Sequence, residues 1–308
     1  MRRKRTIPAR LTQNTYNGKS IGVTNAPTRL EAEGCWGMGE ITSAIKNGTA
    51  ALEETSTWPP NHLIVEYLIV AGGGGGLIGG GGAGGKVEGT DGVITLGEHA
   101  CTVGAGGANT GAVGGESSIG SLYTAEGGGQ GRNPGGSGGG GYYTQGTFGE
   151  GIAGQGNDGG AVAVVAALGG GGGGGAGAAG EQTQNEAGEN RSGGDGGAGE
   201  ASSISGASVT YCGGGGGASY NKEPGEAAAA GGGGDGAEQN ANAADATANT
   251  GGGGGGGWNG EGAGGSGIII VRYKGDRVLD GGTEGTTGDY KLHTYTSTAN
   301  LGLGTAGS

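Results

Sequence analysis

The residue types that do chemistry are few in this 308-residue chain, and their spacing does not suit it. The three histidines, His62, His99 and His293, stand in unrelated contexts, and the 28 carboxylates show no paired arrangement that would divide acid and base roles. Cys35, Cys101 and Cys212 form an odd, widely spaced set without a Cys-x-x-Cys pair. Neither a zinc site nor a disulfide framework follows, and folding in a reducing compartment is the simpler expectation. Two stretches imitate nucleotide chemistry. Residues 63–70 form an apolar run that leads into glycines 72–76, with Glu88 or Asp91 near the spacing of a ribose-binding acid. A dinucleotide site needs a helix after the glycine turn, however, and residues 79–85 are too glycine-rich to supply one. Gly18-Lys19-Ser20 ends like a phosphate loop, but Gln13 stands where the upstream glycine belongs. The expectation is no enzyme, no metal site and no cofactor.

Contact chemistry remains. Tyr142, Tyr143, Phe148, Tyr220 and Trp258, the last followed by Asn259, bring amphipathic ring area into segments that are otherwise small and polar. Exposed aromatics on a rigid support are favoured contact residues. The charge balance restricts what they could contact. The chain carries a net −12, and residues 71–267 hold 4 Lys/Arg against 18 Asp/Glu. Phosphate backbones need clustered cations, so nucleic acid is not an expected partner.

The elements that must hold these residues are dominated by 91 glycines, most of them in runs between Gly72 and Gly267. An α-helix is implausible there, because each interior glycine costs about 1 kcal/mol relative to alanine. An ordinary sheet is poor too, because glycine brings no side chain to pack. With 32% hydrophobic residues and a single Phe, the side chains are too few for a conventional core of this size. The sequence therefore predicts a mostly irregular and extended fold: a bundle of about ten packed polyglycine II helices with a small β-sheet base, in which main-chain amides bond sideways and only glycine permits the close approach. Strand-like interruptions at 93–103, 117–124, 161–168, 202–211 and 268–273 are expected at the base. Polar interruptions at 142–148, 181–192, 218–230, 237–250 and 258–259 are expected at the opposite end.

Four regions follow. Residues 1–29 are a basic, turn-rich extended arm, and residues 30–62 a small N-terminal module with a short helix at 40–46 and packing aromatics Trp36 and Trp58. Residues 63–273 are the glycine-rich domain. Residues 274–308 are a linker followed by an alternating strand at 289–298, which is expected to pair within its own sheet or, preferably, to add to a neighbouring subunit. The basic start, Arg2-Arg3-Lys4-Arg5, is not followed by the apolar region of a signal peptide, and no membrane span is expected.

Several motifs carry a resemblance. Tyr67-Leu68-Ile69-Val70-Ala71 before glycines 72–76, Thr102-Val103-Gly104-Ala105-Gly106-Gly107, Ala201-Ser202-Ser203-Ile204-Ser205-Gly206, and Gly264-Gly265-Ser266-Gly267-Ile268-Ile269-Ile270-Val271-Arg272-Tyr273 together resemble the glycine-rich domain of bacteriophage tail fibre and adhesin proteins. The resemblance spans roughly 63–273. It implies packed polyglycine II helices and recognition of a host surface by loops at the tip, with Tyr142, Tyr143, Phe148, Tyr220, Trp258 and Asn259 as the receptor-binding candidates. The stretch from Gly34-Cys35-Trp36 to Trp58-Pro59 looks like a module found ahead of such domains. The loops themselves depart from the family. The implied partners are other virion or tail proteins through the N-terminal region, a host surface receptor that is an outer-membrane protein or a glycan, and a homo-oligomer such as a trimer. The implied location is the virion, at the tail fibre or tail tip, after synthesis in the host cytoplasm. A purely structural virion or filament spacer is the alternative reading. An ice-binding protein is a more distant one, since it would need a broad face of small residues that the aromatics interrupt.

Overall fold

The computed structural model describes residues 62–143, 146–163, 169–183, 192–221, 223–227, 229–275 and 279–303, together with the backbone of three N-terminal strands. The chain divides into two compact units, Met1–Asn61 and His62–Ser308. In the first unit β1 (Asn14–Tyr16), β2 (Lys19–Gly22) and β3 (Glu31–Ala32) form an antiparallel sheet in that order. The helix expected at 40–46, Trp36, Trp58 and Cys35 lie outside the described residues.

The second unit contains β4 (His62–Val70), β5 (Lys86–Thr95), β6 (Gly97–Thr102), β7 (Ser117–Ile119), β8 (Tyr123–Ala125), β9 (Glu200–Ser202), β10 (Val209–Tyr211), β11 (Ile268–Tyr273), β12 (Leu279–Asp280), β13 (Thr283–Thr287), β14 (Tyr290–Tyr295) and β15 (Ala299–Leu303). These build two five-stranded sheets, ordered β13-β14-β11-β4-β5 and β12-β15-β6-β7-β8, and a β9–β10 hairpin, all with antiparallel pairing. The expected helix bundle on a small sheet base is therefore corrected. Regular structure here is β, and the one helical element among the described residues is a 3-10 turn at Ala229–Gly231. Two segments account for the difference. Residues 279–303 read as turns and a single strand, yet they supply β12 to β15. Residues 86–92 fall in neither an expected glycine run nor an expected strand, yet they form the first seven of the ten residues of β5. With those strands included, the apolar inventory is large enough for a side-chain core.

That core lies between the two large sheets. Leu63, Val65 and Ile69 of β4, Ile269, Val271 and Tyr273 of β11, Ile94 of β5 and Tyr295 of β14 pack with Cys101, Ile119, Leu279, Leu301 and Leu303 from the other sheet. The opposite face of β4 and β11, with Leu68, Val70, Ile268 and Ile270, packs with Ile204, Tyr211 and Cys212 around the hairpin. Burial on both faces explains why 68–70 and 268–271 are unbroken apolar runs rather than alternating ones. Each such side chain contributes about 1.5–3 kcal/mol on full burial. Polar locks reinforce the hairpin contact. Lys86 Nζ lies 2.8 Å from Glu88 Oε2 and 3.3 Å from Glu200 Oε2, and Ser202 Oγ donates to Glu88 Oε1 at 2.7 Å. The Arg272 guanidinium donates to Glu66 and to the carbonyls of Ser203 and Ile204.

The glycine runs between these strands are joined sideways by their main chains. Bond direction repeats every third residue along 72–76: Gly72 and Gly75 donate to Gly115 and Ala112, Gly73 and Gly76 to Gly265 and Gly262, and Gly74 to Gly82, all at 2.8–2.9 Å. Neighbouring backbones approach so closely that a methyl at Gly72, Gly73 or Gly76 would lie 1.9–2.0 Å from a carbonyl oxygen. The run after β4 turns back at Leu77, where Leu77 N–H donates to Gly79 O, and returns beside itself with Gly74 N–H on Gly82 O and Ala71 N–H on Gly85 O, so Leu77 marks its far end. Aspartates seal the outer segments: Asp158, Asp195, Asp235 and Asp245 each accept a backbone N–H from a neighbouring run at 2.7–2.9 Å. The stretch at 161–168, expected with the sheets, has its described part elsewhere. Val162 O accepts from Gly146 N and Ala161 O from Thr183 N, so it sits among the loops. The late strand β14 pairs back within its own sheet, with β11 on one side and β13 on the other, and has no edge left for a neighbouring subunit.

Gly254 donates to Gly74 O at 3.0 Å and accepts from Gly81 N at 2.8 Å, and a Cβ there would meet Gly262 O at 2.1 Å. No rotamer can relieve a clash with main chain, so Gly254→Val is expected to destabilise by about 3 kcal/mol or more. Gly285→Val, on exposed β13 where the nearest atom is 3.8 Å away, should change stability little. Thermal unfolding of the two variants side by side checks this.

Candidate functional site

The loops at the far end of the glycine runs are held together by the backbone. Gly257 N–H donates to Leu77 O at 2.6 Å, Ala218 N–H to Ile78 O at 2.8 Å, and Gly170 N–H to Ala218 O at 2.9 Å. These bonds bring loops from distant parts of the chain to one surface, and four of the six predicted contact residues meet on it. Trp258 is the centre. Tyr143 and Tyr220 pack against its indole edge-to-face, with ring centroids 6.0 and 5.9 Å away and interplanar angles of 70° and 72°. Tyr142 meets Tyr143 in the same manner at 5.4 Å. Edge-to-face pairs of this kind contribute about 0.5–1.5 kcal/mol beyond their buried area, so the rings rigidify one another and the loops that carry them.

Tyr143 is the most exposed of the four at 53%, and its φ of 58° lies in the left-handed region. A bulky side chain seldom adopts that conformation, which costs on the order of 1–3 kcal/mol, and such outliers gather at ligand-contacting positions. Trp258 Nε1 and Gln130 Oε1 are buried without a hydrogen-bond partner among the described residues.

The other two predicted residues do not join the cluster. Phe148 is 38% exposed on the same loop as Tyr143, but no ring contact links it to the cluster. Asn259 is exposed and its amide donates to Gln239 O at 3.0 Å, which braces one loop against the next. Arg132 was missed by the sequence reading. Its guanidinium lies 4.5 Å above the Tyr142 ring, a cation–π contact on an otherwise acidic body. The available signal was its rarity, as one of only 4 cations in residues 71–267, placed at an Arg-Asn-Pro turn. Leu77 was missed as well. It lies beneath this turn, close enough that a methyl on Gly131 would be 2.9 Å from both Leu77 Cδ1 and Tyr142 Cε1.

Cys101 and Cys212 are buried, and desolvation pushes both thiols up to about 12. His293 is buried between a carbonyl and a ring, with Nδ1 2.7 Å from Gly281 O and a stacked Tyr273 at 5.8 Å. Among the described residues, no group of three or more His, Cys, Asp or Glu is placed to hold a metal ion, and no helix is long and apolar enough to cross a membrane.

A model of the glycine-rich domain matches residues 49–274. The chain belongs to the glycine-rich domain family. The match to this glycine-rich domain covers all of β4 to β11, the glycine runs between them and the whole aromatic tip. No curated protein and no solved structure matches the chain.

Two outcomes follow from this geometry. A double-mutant cycle between Tyr220→Leu and Trp258→Leu should give a coupling of about 0.5–1.5 kcal/mol in unfolding free energy. Cys101 and Cys212 should stay unalkylated in the native protein at neutral pH and react fully once it is unfolded, as read by peptide mass spectrometry.

Proposed function

We propose that the chain is a non-catalytic bacteriophage virion protein, a tail fibre or tail-tip adhesin, that recognises the host bacterial surface through the aromatic tip. The observation that carries this reading is the convergence of Tyr142, Tyr143, Tyr220 and Trp258 from three separate loops onto one surface, with Arg132 beside them. Trp, Tyr and Arg are the residue types most enriched among binding hot spots. A rigid scaffold suits them, because side chains fixed before contact lose little entropy on binding. Membership of the glycine-rich domain family and the resemblance of the motifs to phage tail proteins support the same reading. The receptor is a host outer-membrane protein or surface glycan, the N-terminal region contacts other virion proteins, and the protein is carried on the tail. A purely structural spacer would use the same rings only to clamp its loops, and the two readings differ in what the exposed face of Tyr143 does.

Tyr143→Ala removes the most exposed ring of the cluster while keeping a Cβ at the same left-handed position, so the fold should persist with a loss of about 1–3 kcal/mol from the two edge-to-face contacts. Adsorption of the purified protein to susceptible bacteria should fall at least about tenfold. Trp258→Ala should abolish adsorption at some cost in stability, and Phe148→Ala should change it little. Unchanged adsorption for both Tyr143→Ala and Trp258→Ala would favour the spacer.

A further inference from the structure

The two large sheets have four edge strands, and three of these edges are blunted. Along β5, Val93 N–H is taken by Tyr123 OH at 2.8 Å and Lys86 N–H by Gln155 O at 3.0 Å. Just past β8, Glu126 N–H donates to Gln155 Oε1 at 2.8 Å and Glu126 O accepts from Gly85 N at 2.8 Å. β12 is only two residues long, and its Leu279 N–H donates to Tyr273 OH at 2.9 Å. β13 differs. Its five residues pair with β14 in continuous register, Thr283 to Thr286 are exposed, and no hydrogen bond among the described residues reaches its outer edge. Apart from the single charge of Glu284 it lacks the usual protection of an open edge: it has no lysine, no proline and no bulge.

Gly285, at the centre of β13, is not required by the chain's own packing. A methyl there would meet nothing nearer than 3.8 Å, and its φ is not in the left-handed region. A bare backbone at that point does permit close approach from outside.

We propose that β13 pairs antiparallel with β13 of a second copy, about a two-fold axis through Gly285. The sequence is self-complementary in this register. Gly285 faces its own mate, Thr283 faces Thr287, and Glu284 faces Thr286, so no like charges stand directly opposite. The two Glu284 side chains are diagonal neighbours about 7–8 Å apart, on an exposed surface where salt screens them. The pairing joins two five-stranded sheets into one continuous sheet. A single short strand pair buries less than standard interfaces do, so the dimer is weak.

The register makes a charge test with opposite signs for association and for folding. Within the chain, Thr286 faces Lys291 of β14; across the two-fold it faces Glu284 of the second copy. Thr286→Glu therefore gains an attraction in the monomer and a repulsion in the dimer, and Thr286→Lys does the reverse. Sedimentation equilibrium of the full chain, at up to about 100 µM, should show a monomer–dimer equilibrium. Thr286→Glu should weaken it about tenfold and Thr286→Lys tighten it about tenfold, because each change acts at two symmetry-related pairs. Unfolding at concentrations where both are monomeric should place Thr286→Glu at or above the parent and Thr286→Lys at or below it. A chain that stays monomeric over this range would overturn the pairing. So would a dimer whose strength does not move, or moves the same way, with the two substitutions.

Discussion

Carbonyl oxygens in the glycine runs lie about 2 Å from where neighbouring Cβ atoms would be, and the rest of this protein depends on that distance. It allows amides on adjacent runs to bond directly, and it excludes side chains from the interior of the region. The two consequences are coupled. A glycine loses more conformational freedom on folding than any other residue, and without side chains there is little apolar burial to offset that loss. Lateral bonds at about 0.5–1.5 kcal/mol each must therefore be nearly complete, and along 72–76 every N–H finds a carbonyl.

Such a region needs an anchor. Its runs enter from β4 and leave into β11, neighbouring strands buried on both faces and held by ordinary hydrophobic packing. The sheets fix where the first run begins and the last one ends, and the intermediate runs are held by bonds to their neighbours. At the outer rim, where no further run is available, Asp158, Asp195, Asp235 and Asp245 replace the missing carbonyls. The excess of acid over base in the body thus has a partly structural origin.

How much of this was legible in the sequence depended on where the signal lay. β4, β11 and β14 were legible, because 63–70 and 268–273 are apolar runs and 290–295 alternates. β13 and β15 were not. Thr-Glu-Gly-Thr-Thr has no apolar residue to mark a buried face and Ala-Asn-Leu-Gly-Leu is broken by Asn and Gly, so both are recognised as strands only through their pairing with β14 and β6. Missing them hid the second half of the core and made the sheets look like a minor base. At the tip, residue type identified Tyr142, Tyr143, Tyr220 and Trp258 as contact residues. Their meeting around one indole depends on how the runs are ordered in space, which glycine repeats do not encode. Phe148 and Asn259 share loops with Tyr143 and Trp258 yet lie outside the ring cluster, since composition cannot tell which side chains of a loop turn toward one another.

The direct passage of β4 into the first glycine run also has a mechanical meaning. Ala71 continues the strand without a turn, and Gly267 leads equally directly into β11 at the same end of the sheet. Tension on the loops therefore reaches the sheet along the axes of two adjacent strands, across the ladders that bind them to β5 and β14. Those bonds lie perpendicular to the pull and resist it together, in shear, instead of opening one after another from a frayed end.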